Sequence, residues 1–251
     1  MFLGLLLGCG EDSSPLEIVC CAREALETIK SDINLLDQRW QPMTDPEDRI
    51  NLASLSDKPS IEGKPMKDRP TAELIGTRLI VWNSNDGMGL YRLGFFGKPV
   101  GIPKPKPDQD FNVPLMLDIM EGLYLYEKKR IEIVNPKTKK AVKKKTLLDL
   151  ARKTYKGFML AYRVYKDLRE KGYIVTPGIK FGADFAVYEH GPGIDHAPFI
   201  ISVRTTKDMM GPFEVVRAGR LATTVRKQFI IAAPNNKSKK VDYLVFKWFK
   251  A

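Results

Sequence analysis

The sequence predicts a mixed α/β protein, in which a small N-terminal α/β domain precedes a C-terminal domain built on a mixed sheet. Three observations predict this class. Short β-rich runs alternate with amphipathic helical segments along most of the chain. Stretches rich in glycine and proline separate those segments. The 251 residues, 43% of them hydrophobic, are enough to form at least one large core.

The chain divides into four parts. Residues 1–40 contain an apolar run, a turn and a helical pattern, which predict a hairpin followed by a helix. Residues 41–73 are polar and rich in proline, which is typical of a linker. We expect an N-terminal α/β domain at residues 74–153 and a C-terminal domain at residues 154–251.

The elements of the N-terminal domain follow from local composition. Residues 77–82 and 90–96 have the composition of short strands around a turn at 83–87. Residues 115–127 have helical periodicity, and residues 131–134 indicate a strand. Alternating proline and lysine at 103–107 predict an exposed loop.

The C-terminal domain begins with a long helical pattern at 146–171, and Gly172 is a natural end for that helix. After it, β-rich runs alternate with one helical segment, predicted at residues 214–226. The runs that we expect to form strands are residues 173–175, 185–188, 199–203, 229–233 and 243–249.

The charge of the chain indicates a polyanionic partner. The formal net charge is +11, and such an excess of lysine and arginine favours binding to phosphates through counterion release. Charge alone leaves RNA, DNA and an anionic membrane open. The densest basic cluster lies at residues 137–145, and it is either a solvated loop or a contact to an RNA backbone.

Other features suggest a cytoplasmic protein with no membrane partner. The three cysteines, two of them adjacent, do not form a disulfide framework and suit a reducing compartment. The apolar start lacks the basic leading region of a signal peptide. No later apolar run is long enough to span a bilayer.

The usual motifs of metal and cofactor chemistry are missing, so we expect neither a metal nor a cofactor. The sequence has no phosphate-binding glycine motif and no paired-cysteine site. Its two histidines, His190 and His196, are too few for a multi-histidine centre within one chain. Both lie in a loop between two predicted strands, a common place for active residues.

Four stretches of the C-terminal domain resemble the archaeal tRNA-splicing endonucleases: residues 164–173, 181–188, 195–201 and 217–227. In that family a tyrosine, a histidine and a lysine form the active site. By this resemblance they correspond to Tyr188, His196 and Lys227. His196 is preferred to His190 because the sequence after it leads directly into a strand, as in the family.

The resemblance implies an RNA-cleaving enzyme that excises introns from precursor tRNA at bulge–helix–bulge structures without a metal. Tyr188 would take the proton from the ribose 2′-hydroxyl, His196 would protonate the leaving 5′-oxygen, and Lys227 would stabilise the phosphorane. The products would be a 2′,3′-cyclic phosphate and a 5′-hydroxyl. Histidine suits the acid role because it titrates near neutral pH, whereas tyrosine is a weak base at its ordinary pKa of about 10.

The resemblance also implies residues that clamp a bulged base of the RNA. Arg220 corresponds to the first of these residues. The second falls on the final strand, where Trp248 is our choice and Lys247 the alternative. An arginine and an aromatic ring can hold a base by stacking and cation–π contacts.

Members of the family assemble from several units, in which an acidic loop of one unit docks on a basic cleft of another. The corresponding loop here, residues 235–240, is basic, so we expect this chain to receive such a loop in a homodimer or hetero-oligomer. Glu11 and Asp12, at the turn of the opening hairpin, could provide the acidic loop. Residues 1–40 are then either the remnant of a degenerate companion unit or an unrelated extension.

Two other functions remain open from the residues alone. The chain could be a non-catalytic structural or RNA-binding subunit of such an assembly. It could also be a metal-dependent DNA nuclease, which needs clustered carboxylates, and Asp184 and Glu189 are the candidates for those.

Overall fold

The computed structural model describes residues 69–246, except Lys104, Thr206, Val215 and the stretches 217–218, 221–226 and 236–237. The predictions for residues 1–68, including the hairpin with Glu11 and Asp12, therefore lie outside the described residues. Trp248 and its alternative Lys247 lie outside them too.

The first half of the described chain forms a five-stranded sheet in the order β3-β4-β2-β1-β5. The parallel pair β1 and β5 lies at one end of this sheet, and every other pair is antiparallel. The first strand begins before residue 74, inside the segment that we had assigned to the linker. The strands are β1 (Thr71–Ile75), β2 (Arg78–Val81), β3 (Lys98–Pro99), β4 (Leu115–Asp118) and β5 (Glu132–Val134).

The segment after β2 is a helix, α1 (Ser84–Gly94), so the prediction of a turn followed by a strand was wrong. The Asn83 side chain accepts hydrogen bonds from the backbone N–H groups of Asn85 (2.9 Å) and Asp86 (3.2 Å). Asparagine favours turns and helix N-caps for this same chemistry, so composition alone did not separate the two. Gly87 lets the helix approach the sheet, because an added Cβ would lie 3.0 Å from the Cβ of Leu115.

Residues 115–127 are not one helix, as their periodicity suggested, but strand β4 followed by α2 (Ile119–Glu127). The boundary is set by a capping box between Asp118 and Glu121. The Glu121 carboxylate accepts from the N–H groups of Asp118 (2.9 Å) and Gly97 (3.1 Å). Burial raises the pKa of Glu121 above its ordinary value.

The long helix predicted at 146–171 is two helices, α3 (Lys144–Thr154) and α4 (Phe158–Glu170). Tyr155 has an extended backbone, and Gly157 adopts the left-handed conformation (φ +74°) that glycine accepts readily. The apolar periodicity continues through this break, which explains why the sequence suggested one element.

The second half forms a five-stranded sheet in the order β10-β9-β8-β7-β6. Only β8 and β9 are parallel. Two of the strands, β7 and β8, have the bounds that the sequence predicted. The strands are β6 (Ile174–Pro177), β7 (Phe185–Tyr188), β8 (Phe199–Val203), β9 (Gln228–Pro234) and β10 (Val241–Phe246).

One large hydrophobic cluster contains buried residues of both sheets and of helices α1 to α4. Arg169, on α4, is fully buried within this region and donates to the carbonyl oxygens of Gly94 (2.7 Å) and Val175 (3.1 Å). Its guanidinium also lies 4.3 Å from the ring centroid of Phe96. Arg169 therefore ties the end of α1 to the first strand of the second sheet. These observations confirm the predicted mixed α/β class.

Candidate active site

The topology of the second sheet brings Tyr188, His196 and Lys227 to the same edge. Strand β7 ends at Tyr188, and because β8 runs antiparallel to it, the start of β8 lies at that edge. Because β9 runs parallel to β8, its start lies there as well. His196 precedes β8 by three residues, and Lys227 immediately precedes β9.

Lys227 contacts the segment that carries His196. Its ammonium group donates a hydrogen bond to the carbonyl oxygen of Ala197, the residue directly after His196. The same nitrogen lies 5.4 Å from the ring centroid of Phe181. Partial burial lowers the pKa of Lys227, and the carboxylate of Asp195 opposes that shift. Lys227 is thus a partly desolvated cation that binds the backbone directly after the candidate acid.

Tyr188 is half-buried at the end of β7, and β8 separates this strand from β9, which follows Lys227. Burial raises the pKa of its phenol, a side-chain hydrogen bond with Thr176 lowers it, and the negative charge of Asp195 raises it. The first effect is the largest, so the phenol of the free protein ionises above its ordinary range. The carboxylate of Asp195 therefore acts electrostatically on both Tyr188 and Lys227.

The loop that joins β7 to β8 is organised by Asp195. Its carboxylate accepts hydrogen bonds from three consecutive backbone N–H groups, those of Glu189 (3.0 Å), His190 (3.2 Å) and Gly191 (2.8 Å). The Asp195 N–H in turn donates to the carbonyl oxygen of Gly191 at 3.1 Å. These bonds fold the loop back on itself. They also fix the backbone immediately before His196, whose side chain is exposed.

Residues of the first half of the chain support this loop. Gly191 has φ +130°, and a Cβ added there would lie 2.4 Å from the Phe95 ring. A Cβ on Gly193 would lie 3.3 Å from the ring of Pro107. The phenol of Tyr91 holds the Pro107 segment through a 3.2 Å hydrogen bond to the carbonyl oxygen of Pro105. The two glycines therefore allow close contact between the N-terminal half and the candidate active-site loop.

The remaining predicted site residues are placed less completely. Arg220 is exposed and has helical backbone, as expected for the segment 214–226, of which part is described. His190, the alternative acid, is also exposed, and its backbone N–H is held by Asp195.

The carboxylates proposed for a metal-dependent nuclease do not come together. Asp184 immediately precedes β7 and Glu189 immediately follows it, so the four-residue strand separates them. The Asp184 carboxylate instead accepts the N–H of Val203 (2.7 Å) at the opposite end of β8. Since a strand rises about 3.3 Å per residue, the two carboxylates lie at opposite ends of the sheet. The prediction that Asp184 and Glu189 form a carboxylate cluster was therefore wrong.

Asp195 is the residue of the candidate site that the sequence does not reveal. The sequence pattern marks it only as part of the stretch leading into His196, because carboxylate–backbone bonds have no periodicity. A signal was present: an aspartate ends a loop with glycines at 191 and 193. Aspartate commonly binds nearby backbone N–H groups in such turns.

Comparison with protein families defines the class to which this fold and site belong. Residues 71–148 match the N-terminal domain of the tRNA intron endonucleases, and residues 158–243 match their catalytic C-terminal domain. The two matches correspond to the two sheets with their helices. The class is therefore that of two-domain endonucleases.

Individual relatives agree with these domain matches. A tRNA-splicing endonuclease of Hyperthermus butylicus is 41% identical over 179 residues, which are 71% of this chain and 98% of the relative. Those of Saccharolobus islandicus strain M.14.25 and Sulfurisphaera tokodaii are 38% identical, again with 71% and 98% covered. The chain belongs to the tRNA-splicing endonuclease family, as its motifs suggested.

Within the described residues, no helix is both long enough and apolar enough to cross a membrane.

Proposed function

We propose that the chain is a metal-independent endoribonuclease that excises introns from precursor tRNA at bulge–helix–bulge structures. Tyr188, His196 and Lys227 are the catalytic residues in this proposal. The observation that carries it is their shared position at the edge of the second sheet, where β7 ends and the parallel strands β8 and β9 begin. Membership of the family supplies the tRNA intron as substrate.

The reaction is an internal transfer at phosphorus. Tyr188, as phenolate, takes the proton of the ribose 2′-hydroxyl, and the 2′-oxygen forms a bond to the phosphorus. The bond from phosphorus to the 5′-oxygen breaks, and His196 gives its proton to that oxygen. The products are a 2′,3′-cyclic phosphate and a 5′-hydroxyl, and each positioned proton transfer contributes about 10²–10⁴-fold.

Lys227 suits the stabilisation of the negative charge on the phosphorane. Its ammonium is partly buried and held at the Ala197 carbonyl, so its position is fixed before the reaction. Fixed charge in a partly dehydrated site stabilises a transition state more strongly than mobile charge in water.

Substrate binding and assembly complete the proposal. Arg220 and Trp248 clamp a bulged base, and Lys247 is the alternative to Trp248. The chain acts in a homodimer or hetero-oligomer, in which the basic loop at 235–240 receives an acidic loop. Native mass spectrometry tests this assembly: a Glu11→Lys/Asp12→Lys variant should dissociate, and an unchanged mass would exclude docking through the opening hairpin.

Cleavage of a bulge–helix–bulge RNA in EDTA, followed by end-group analysis, tests the proposed chemistry. Wild type should cut fully and leave cyclic phosphate ends, whereas His196→Ala should lose about 10²–10⁴-fold in rate. His190→Ala is the matched control in the same loop and should keep its activity. Full activity in His196→Ala would remove the acid assignment, and loss of wild-type cleavage in EDTA would exclude the metal-free reaction.

A further inference from the structure

A cationic cleft of about 630 Å³ lies beside β5, away from the candidate active site. Four of its lining residues are cations, Arg69, Lys129, Lys144 and Lys166. They come from four places in the chain: Arg69 lies two residues before β1, Lys129 two residues after α2, Lys144 at the start of α3 and Lys166 in α4. None of them belongs to the edge that holds Tyr188, His196 and Lys227.

Glu127 fixes two of these cations side by side. Its carboxylate is only 16% exposed and binds the ammonium groups of Lys144 (2.7 Å) and Lys166 (3.0 Å). Burial acts to raise the pKa of Glu127, but the bonds to the two lysines outweigh it and hold the pKa below its ordinary value. Because each ammonium has three N–H donors, both lysines keep donors for a further acceptor while their positions are fixed.

The cleft keeps a net positive charge despite its carboxylates. Glu127 and Glu132 are the two acidic side chains of the lining, against four cations. The start of α3 adds to this potential, because its first turn has no acidic residue and Lys143 provides no side-chain cap. The partial positive charge of a helix N-terminus favours anions. Exposed Lys143 and Lys145 extend the positive surface along the cluster at residues 137–145.

We propose that this cleft binds backbone phosphates of the precursor tRNA outside the bulge–helix–bulge structure. This inference rests on the proposed function, since it takes the same RNA as the ligand. An RNA backbone fits better than a single free anion, because the cations continue from the cleft into an exposed run of lysines. The cluster at residues 137–145 is then a wall of an RNA-binding surface rather than only a solvated loop.

Charge reversal of single residues tests the proposal without disturbing the Glu127 bonds. Lys129→Glu and Arg69→Glu each change the cleft by two charges, and neither residue binds Glu127. Lys98→Glu is the matched control, because Lys98 is exposed on β3, and β3 and β5 are the two outer strands of the first sheet. Dissociation constants are measured for an uncleavable precursor tRNA, made with 2′-deoxy nucleotides at the cleavage sites, and for a minimal bulge–helix–bulge RNA.

Both cleft variants should weaken binding of the precursor tRNA by about three- to tenfold and leave the minimal RNA unchanged. The slope of log Kd against log salt should fall by about 0.7–0.9 for each lost phosphate contact. Equal weakening by Lys98→Glu, or no weakening by either cleft variant, would overturn the proposal. Equal loss of the minimal RNA would also contradict it, by placing the cleft at the cleavage site.

Competition with inorganic phosphate separates RNA binding from a site for free anions. In millimolar phosphate at constant ionic strength, wild type should still bind the precursor tRNA more tightly than Lys129→Glu does. If phosphate removes this difference, the cleft is a free-anion site and the proposal is wrong. Failure of the proposed function has a different signature, since wild type would then leave the minimal RNA uncut in EDTA while the binding data stand.

Discussion

Asp195 connects the candidate active-site residues although no step of the reaction needs its proton. It holds three N–H groups of the loop and acts electrostatically on Tyr188 and Lys227. The sequence predicted Tyr188, His196 and Lys227 as the catalytic residues, because the stretches around them resemble a family. It did not identify Asp195, because what matters there is a set of backbone contacts that only the folded loop creates.

The pKa of Tyr188 should respond in opposite directions to its two polar neighbours. Asp195→Asn removes a negative charge that disfavours the phenolate, so the pKa should fall. Thr176→Val removes a hydrogen bond that favours the phenolate, so the pKa should rise. NMR titration of ring-labelled tyrosine, assigned with Tyr188→Phe, measures both shifts. Shifts of the same sign in the two variants would contradict the electrostatic roles given to these neighbours.

At the scale of elements, the sequence predicted strands better than it predicted boundaries between helices. Strands β7 and β8 have buried β-rich runs flanked by turn residues, and these signals are local. The start of α1 and the break between α3 and α4 depend on Asn83 and Gly157, whose meaning changes with the surrounding backbone. The meeting of β8 and β9 in parallel is long-range, and no local pattern encodes it.

Arg169 should be important for stability because it joins elements of the two halves. Arg169→Met leaves the carbonyls of Gly94 and Val175 without this donor, so unfolding free energy should fall by about 3–5 kcal/mol. Arg152→Met is the control, since Arg152 is exposed on α3 and its ion pair with Asp149 is long, at 4.0 Å. Urea unfolding should show a change of less than about 1 kcal/mol in the stability of that variant. Equal losses in the two variants would contradict the role of Arg169.

The contact between Phe95 and the loop should matter for rate. Gly191→Ala places a Cβ 2.4 Å from the Phe95 ring and strains a φ of +130°, so the loop must shift. A displacement of about 1 Å near reacting groups costs about 10²-fold in kcat. Gly76→Ala is the control, because Gly76 also has positive φ but its Cβ would meet nothing within 4 Å. It should lower stability without lowering kcat. Unchanged kcat in Gly191→Ala would contradict the support by Phe95.

The whole molecule contains several buried tyrosines, and these predict how its stability depends on pH. Burial, followed by the charge of Glu189, raises the pKa of Tyr173 to about 12 in the folded chain, from 10.0 for an ordinary tyrosine. Above pH 10 the unfolded chain therefore loses this proton first. The stabilising effect is complete below about pH 10 and is lost as the pH rises towards 12.

Denaturant unfolding at about pH 8 and at about pH 11.5 measures this loss. Tyr173→Phe removes one of the groups that ionise more readily on unfolding, so its stability should fall less between the two pH values than that of wild type. Burial also raises the pKa of Tyr165, Tyr162 and Tyr243, so part of the fall should remain. An equal fall in wild type and Tyr173→Phe would contradict this account of alkaline unfolding.

The proposed function depends on one chemical step of the whole molecule: His196 protonates the leaving 5′-oxygen while Tyr188 removes the proton of the attacking 2′-hydroxyl. A substrate with sulfur in place of the 5′-oxygen at the scissile bond tests that claim most directly, because a thiolate leaves without being protonated. In EDTA, His196→Ala should cut this RNA at nearly the wild-type rate, whereas Tyr188→Phe should remain slow. If sulfur fails to restore His196→Ala, or restores both variants equally, the assignment of acid and base at this edge is wrong.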